Sequence, residues 1–144
     1  MAAADFVLDN SVAMYWPLPD ERKPEHMRYA KKVMQALIDG AGAVVPLLWH
    51  IEAVNVLTTS ERKEGGSIAK SRAFWEHMGL LTLATDSRFD REAVAALARQ
   101  YRLTAYDAGY LDLAMREGIP LASVDADLCK AAKKAGVGLY LGGY

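Results

Sequence analysis

The chain contains little of what several common protein classes require. Its 144 residues include a single cysteine, which excludes an internal disulfide and favours a reducing, intracellular environment. Eleven glycines and five prolines are ordinary numbers, so a disordered or collagen-like chain is not expected. The longest apolar stretch, residues 41–49, is less than half of the roughly 20 residues needed to span a bilayer. The N-terminus also lacks the basic and apolar regions of a signal peptide, and we therefore expect a cytoplasmic protein without a membrane span.

The chain also lacks an excess of either charge. It has 17 basic and 18 acidic residues and a formal net charge of −1. A protein that binds nucleic acid through its overall charge needs a clear basic excess. Any nucleic-acid contact must therefore come from a local patch.

Apolar residues alternate along the chain between short runs and helical spacing. The short runs predict strands at residues 6–8, 43–45, 80–83, 120–124 and 137–141. Helical spacing and end signals predict helices that begin at Pro24, Leu48, Ser67, Asp86 or Ser87, Tyr106 and Asp125. This alternation predicts one α/β domain, residues 1–144, with a mainly parallel central sheet and helices on both faces.

Acidic residues stand where such a sheet binds ligands. In open parallel sheets, ligands lie beyond the carboxyl ends of the strands. Asp9 and Asp125 each follow a predicted strand, while Asp107 opens a predicted helix. Glu52 lies among apolar residues, with Asn55 one turn later on the same helical face. Taken singly, the three aspartates also suit ordinary helix N-caps.

Four segments in order give these acids a shared context. The segments are Phe-Val-Leu-Asp-Asn-Ser-Val-Ala at 6–13, the proline and apolar helix with Glu52 and Asn55 at 46–55, Leu-Thr-Ala-Tyr-Asp-Ala-Gly-Tyr-Leu at 103–111, and Pro-Leu-Ala-Ser-Val-Asp at 120–125. In these segments the chain resembles the PIN-domain nucleases, and within them the toxin ribonucleases of the VapC family. Asn10 and Gly109 depart from the residues common in the family.

The resemblance implies Mg²⁺- or Mn²⁺-dependent cleavage of RNA. Clustered carboxylates repel each other, and a hard divalent cation with oxygen ligands relieves that repulsion. Such an ion can activate water and stabilise charge on a phosphodiester. The implied roles are Asp9 and Asp107 as direct ligands, Glu52 and Asp125 as direct or water-mediated ligands, Ser11, Ser123 and Asn55 as supporting residues, and Asp127 as a residue that replaces or assists Asp125.

The resemblance also implies partners. These are a tRNA or ribosomal RNA substrate, a VapB-type antitoxin and a second copy of the chain in a homodimer. Four basic residues near the turn at Gly65 and Gly66 suggest a rim that contacts RNA phosphates. They are Arg62, Lys63, Lys70 and Arg72.

Other classes fit less well. A haloacid-dehalogenase-type phosphatase needs a second aspartate two residues after the first, where this chain has Ser11. A receiver domain needs paired acids near the first strand and a late lysine after a strand. Here Asp9 has no neighbouring acid, and no lysine of this kind is evident. Two alternatives within the resemblance stay open: an RNA- or DNA-processing PIN nuclease without an antitoxin, and a catalytically silent PIN-like binding module.

Overall fold

A computed structural model of the chain describes residues 3–144 and contains a parallel sheet flanked by helices. The strands are β1 (Phe6–Leu8), β2 (Gly42–Pro46), β3 (Thr82–Asp86) and β4 (Leu121–Ala122). The helices are α1 (Asn10–Ala13), α2 (Pro24–Ile38), α3 (Leu47–Glu61), α4 (Ile68–Met78), α5 (Arg91–Tyr101), α6 (Ala105–Glu117) and α7 (Ala126–Lys134). A short 3-10 helix spans Tyr140–Gly142.

All strand pairings in the sheet are parallel, in the order β3-β2-β1-β4. Successive side chains of a strand point to opposite faces, and all three residues of β1 are fully buried. Helices therefore cover the sheet on both sides of β1, as the sequence predicts for a parallel sheet. Because the strands are parallel, their carboxyl ends lie at one edge of the sheet.

Local signals fix most element ends. Pro24 stands at the first turn of α2, and Ser67 caps α4 by accepting a hydrogen bond from the backbone of Lys70. Gly118 ends α6 in the left-handed conformation (φ 65°) that glycine adopts without steric cost. None of the helices within residues 3–144 is long and apolar enough to cross a membrane.

The predicted start of the fifth helix is wrong. Asp86 ends β3 in register with Pro46, and α5 begins only after Asp90, whose carboxylate accepts bonds from the backbone of Glu92 and Ala93. Asp86 is instead held by Arg88 at 2.9 Å and by Arg116, which approaches from α6 at 3.3 Å. The predicted strand at 80–83 correspondingly lies two residues later, at Thr82–Asp86.

The predicted last strand is also wrong. Leu139 makes one isolated bridge to Leu121, and the chain then turns into the 3-10 helix, where Leu141 has a φ of 54°. The ring of Tyr140 stacks on Phe6 with centroids 3.9 Å apart. Residues 137–141 thus pack on the core through Val137, Leu139 and Tyr140 and do not form a further strand of the sheet. The predicted fourth strand, 120–124, is shorter than expected, at Leu121–Ala122.

Candidate active site

Four acidic residues lie around the carboxyl edge of the sheet. Asp9 directly follows β1, and Asp125 follows β4 after a short loop. Glu52 is in the second turn of α3, which begins immediately after β2, and Asp107 is in the first turn of α6. Each side chain therefore comes from a different segment, and the parallel sheet brings the segments together.

Two serines hold Asp9, which is 6% exposed. Ser11 and Ser123 both donate to Asp9 Oδ2, at 2.6 and 2.7 Å. The serine oxygens in turn accept the backbone N–H groups of Val124 and Asp125, each at 3.0 Å. The two hydroxyl protons are thus both directed at one carboxylate oxygen. No hydrogen bond from the described residues reaches Asp9 Oδ1.

Glu52 is also held by one oxygen. The hydroxyl of Tyr110 donates to Glu52 Oε1 at 2.7 Å. Asn10 Nδ2 donates to the carbonyl of Trp49 at 2.8 Å and makes longer contacts of 3.5 Å with Glu52 Oε1 and with the Tyr110 hydroxyl. Within residues 3–144, Glu52 Oε2 receives no hydrogen bond.

Asp125 caps a helix with its carboxylate, whereas Asp107 does not. Asp125 caps α7, because its Oδ1 accepts from the backbone of Leu128 at 2.9 Å. Asp107 is not the cap of its helix, which corrects the N-cap interpretation. That role belongs to Thr104, whose hydroxyl accepts from the Asp107 backbone at 3.1 Å. The carboxylate of Asp107 is thereby left for another role.

Burial and mutual repulsion shift the protonation of this cluster. Burial raises the pKa of Asp107 to about 7, and the charges of Asp125, Asp9 and Glu52 add to the rise, with Asp127 contributing least. Burial also raises the pKa of Asp9 to about 6, although its hydrogen bonds from the serines oppose the rise. The carboxylates are therefore close enough to destabilise one another's charged forms.

Tyr110 remains a hydrogen-bond donor in this environment. It is 1% exposed, and burial together with the charges of Asp9 and Glu52 raises the pKa of its hydroxyl. Loss of the proton would place a third negative charge beside two carboxylates. The hydroxyl proton therefore stays on Tyr110 and is available to Glu52.

The donor set fits a hard divalent cation. Some of its carboxylate oxygens accept no hydrogen bond from the described residues, and two of its pKa values are raised. Both features are expected where carboxylates bind a cation. Within the described part of the chain, however, no three His, Cys, Asp or Glu side chains are arranged to hold one ion between them. Mg²⁺ keeps several waters and is typically bound through one or two carboxylates, so a closed set of three ligands is not required. The residues present thus suit a divalent cation with oxygen and water ligands more than a fully protein-ligated metal such as structural zinc.

Other predicted residues lie outside this cluster. Asn55 is exposed and, among the described residues, makes no hydrogen bond to Glu52, so the amide beside Glu52 is that of Asn10. The four basic residues of the predicted rim are all exposed, and Lys63 and Lys70 line a cavity of about 200 Å³ at the α3–α4 turn.

Sequence reasoning missed two parts of the site. Tyr110 follows Asp107 by three residues and therefore shares its helical face, a spacing that could have identified it. A groove of about 390 Å³ beside Ser11 and Asp125 is lined by Lys23 and His26 from the start of α2. No local pattern marks Lys23 and His26, since only the packing of the irregular segment before α2 brings them to the site.

Together the fold and the acids define an α/β domain with an acidic cluster at the carboxyl edge of a parallel sheet. The family model of the PIN domain matches residues 6–134, and the chain belongs to this family. PIN domains are generally nucleases.

One solved structure with the same fold is the crystal structure of PAE2754 from Pyrobaculum aerophilum. It is 20% identical, with a TM-score of 0.66, and the match covers 89% of this chain and 84% of that one. No curated protein gave a significant sequence match.

Proposed function

We propose that the protein is a Mg²⁺- or Mn²⁺-dependent ribonuclease whose active site contains Asp9, Glu52, Asp107 and Asp125. The observation that carries this proposal is the way the acids are held. Asp9, Glu52 and Asp125 each have one oxygen bonded within the protein and one oxygen without a bond from the described residues. A carboxylate held in this way can bind a cation without first reorganising.

The residues divide into two roles. Asp9 and Asp107 bind the ion directly, while Glu52 and Asp125 bind it directly or through water. The bound ion would lower the pKa of a water molecule and stabilise charge on the cleaved phosphodiester. Ser11 and Ser123 orient Asp9 through Oδ2. The raised pKa of Asp107, about 7, supports a site that gains from a cation at neutral pH.

The RNA would follow basic residues near the acids. Lys23 lines the groove beside Asp125, together with Asp20, and is a candidate for a phosphate contact. The exposed residues Arg62, Lys63, Lys70 and Arg72 would extend the contact along the α3–α4 turn. A local basic path of this kind is compatible with the net charge of −1.

We further propose that the nuclease is the toxin of a toxin–antitoxin pair and acts in the cytoplasm as a homodimer. An exposed apolar face of α3 supports the dimer: Leu47, Ile51 and Val54 are each at least 50% exposed. The negative cluster suits an antitoxin that places an arginine or lysine between the carboxylates. The RNA cut by such a toxin would be a tRNA or a ribosomal RNA.

The test is cleavage of RNA with and without metal. Purified protein is expected to cut total tRNA or ribosomal RNA with Mg²⁺ or Mn²⁺ and to lose activity in EDTA. Asp107→Asn should abolish cleavage, whereas Asp39→Asn should retain it, because it changes an exposed acid whose carboxylate, among the described residues, accepts a bond from Gln35 alone. Cleavage that survives EDTA or Asp107→Asn would contradict the metal-nuclease proposal.

The toxin role needs a separate test. Induction of the wild-type gene should arrest growth, Asp107→Asn should not, and a small protein encoded beside the gene should restore growth. A nuclease that cuts RNA in vitro without arresting growth would instead be the processing enzyme.

A further inference from the structure

The contacts around Glu52 involve two residues with no role in the catalytic proposal. Asn10 is 7% exposed, and the acceptors around its side-chain nitrogen are the Trp49 carbonyl, Glu52 Oε1 and the Tyr110 hydroxyl. An amide turned the other way would place its oxygen against these oxygens, so the nitrogen must face them. Asn10 therefore acts here only as a donor.

The Tyr110 hydroxyl has a fixed direction for the same reason. It has one proton, which is directed at Glu52 Oε1 at 2.7 Å. Its oxygen faces the Asn10 nitrogen at 3.5 Å and can accept from it. The chain of donors thus runs from Asn10 through Tyr110 to Glu52 and ends on one oxygen of the carboxylate.

We propose that Tyr110, supported by Asn10, is a positioning residue that fixes Glu52 through Oε1 and leaves Oε2 for the metal or its water. This inference rests on the proposed metal-nuclease function. Tyr110 is on the same helical face as Asp107, and Asn10 directly follows Asp9. The pair therefore ties Glu52 to the two segments that carry the direct ligands, so that three acids keep one relative arrangement.

Asn10 also carries one unsatisfied polar atom. Its Oδ1 is buried and has no hydrogen-bond partner among the described residues. A buried polar atom without a partner opposes folding. The nitrogen of the same amide offsets this cost through its bond to the Trp49 carbonyl at 2.8 Å, and this bond holds the nitrogen where it faces Glu52 and Tyr110 at 3.5 Å.

Metal affinity is the direct readout of the proposed role. Titration calorimetry with Mn²⁺ should give a dissociation constant for the wild-type protein that rises about tenfold or more in Tyr110→Phe, the range typical for residues that orient a metal ligand. Asn10→Ala should raise it in the same direction and should also lower resistance to urea, because the hydrogen bond to the Trp49 carbonyl is lost. The matched control is Tyr29→Phe, which removes an equally buried hydroxyl bonded to the Tyr140 carbonyl and should leave the constant unchanged.

A double-mutant cycle shows whether Tyr110 acts through Glu52. In a Glu52→Gln background, which already weakens binding, Tyr110→Phe should add at most a twofold change. If Tyr110→Phe binds Mn²⁺ like the wild type while Glu52→Gln does not, the positioning role is wrong and the metal site stands. Equal effects of Tyr110→Phe in both backgrounds would also overturn it. A wild-type protein that binds no Mn²⁺ would refute the metal site and the positioning role together.

Discussion

Two buried serines allow a sharp test of how the site is held together. Ser123 is 1% exposed, donates to Asp9 Oδ2 at 2.7 Å and accepts from the Asp125 backbone at 3.0 Å. Ser71, in α4, is 6% exposed, and its hydroxyl has no partner among the described residues. Replacing each with alanine removes the same atom from a buried position. The two variants therefore differ mainly in the hydrogen bonds that are lost.

The expected magnitudes follow from these bonds. A hydrogen bond to a charged group contributes about 1.5–3 kcal/mol and a neutral one about 0.5–1.5 kcal/mol. Ser123→Ala loses one of each, so we expect it to lower the free energy of unfolding by about 2–4 kcal/mol. Ser71→Ala removes a hydroxyl that is buried without compensation, and we expect no loss or a gain of up to about 1 kcal/mol.

Urea unfolding in EDTA measures both variants without any contribution from bound metal. The quantity to compare is the difference between the two variants, since both share the wild-type reference. Equal destabilisation by Ser123→Ala and Ser71→Ala would refute the reasoning, because packing would then outweigh the hydrogen bonds to Asp9. A Ser71→Ala variant that is less stable than Ser123→Ala would refute it more strongly.

Three further predictions concern charge, assembly and substrate. Burial raises the pKa of Asp86, but hydrogen bonds from Arg88 and Arg116 outweigh this effect and leave the pKa below its usual value. The stability that this group contributes is therefore present above about pH 4 and is lost as pH falls through the folded-state pKa. Asp86→Asn should flatten the fall in unfolding free energy between pH 5 and pH 2, and an unchanged slope would contradict this. Light scattering should give a mass of about twice the 15.8 kDa of one chain. Ile51→Glu should reduce this mass to that of a monomer, whereas Leu80→Glu, at an exposed position outside α3, should leave it unchanged. A wild-type monomer at micromolar concentration would be inconsistent with the dimer. Lys23→Ala should weaken binding of RNA and lower the salt dependence by about one counterion in filter-binding assays, and an unchanged salt slope would rule out a phosphate contact.

The sequence predicts those parts of the fold that depend on local chemistry. The strand at β1, the proline at the start of α2 and the Ser67 cap are confirmed because each depends on neighbouring residues alone. The parallel sheet is confirmed because alternation of strands and helices leaves few other arrangements. These elements place the acids at one edge.

Errors occur where distant contacts decide between local options. Asp86 and Asp90 both suit a helix cap, but Asp86 ends β3, where its carboxylate is bonded by the nearby Arg88 and also by Arg116 from the distant α6. Residues 137–141 form a short apolar run like a strand, but the ring of Tyr140 stacks on Phe6 and the chain turns into the 3-10 helix. Neither Arg116 nor Phe6 is near these segments in the sequence.

The supporting residues of the site follow the same division. Ser11 and Ser123 were predicted to orient carboxylates, and both donate to Asp9. Asn55 was expected to assist Glu52 because it shares a helical face, but the contact comes from Asn10, which is distant in the sequence. A shared helical face predicts only that two side chains leave the helix in similar directions. Which residue contacts Glu52 depends also on the element that packs against α3.

The position of β1 in the sheet has a consequence for biosynthesis. This strand begins at Phe6, yet one of its two neighbours is β4, which pairs Leu121 with Val7. A nascent chain that ends before β4 has one unpaired edge of β1 and lacks Ser123 to hold Asp9. Long-range pairing of this kind completes folding late. A ribosome-bound fragment of this kind would therefore have no assembled acidic site, and the chain would complete that site only after Asp125 has been synthesised and β4 has paired with β1.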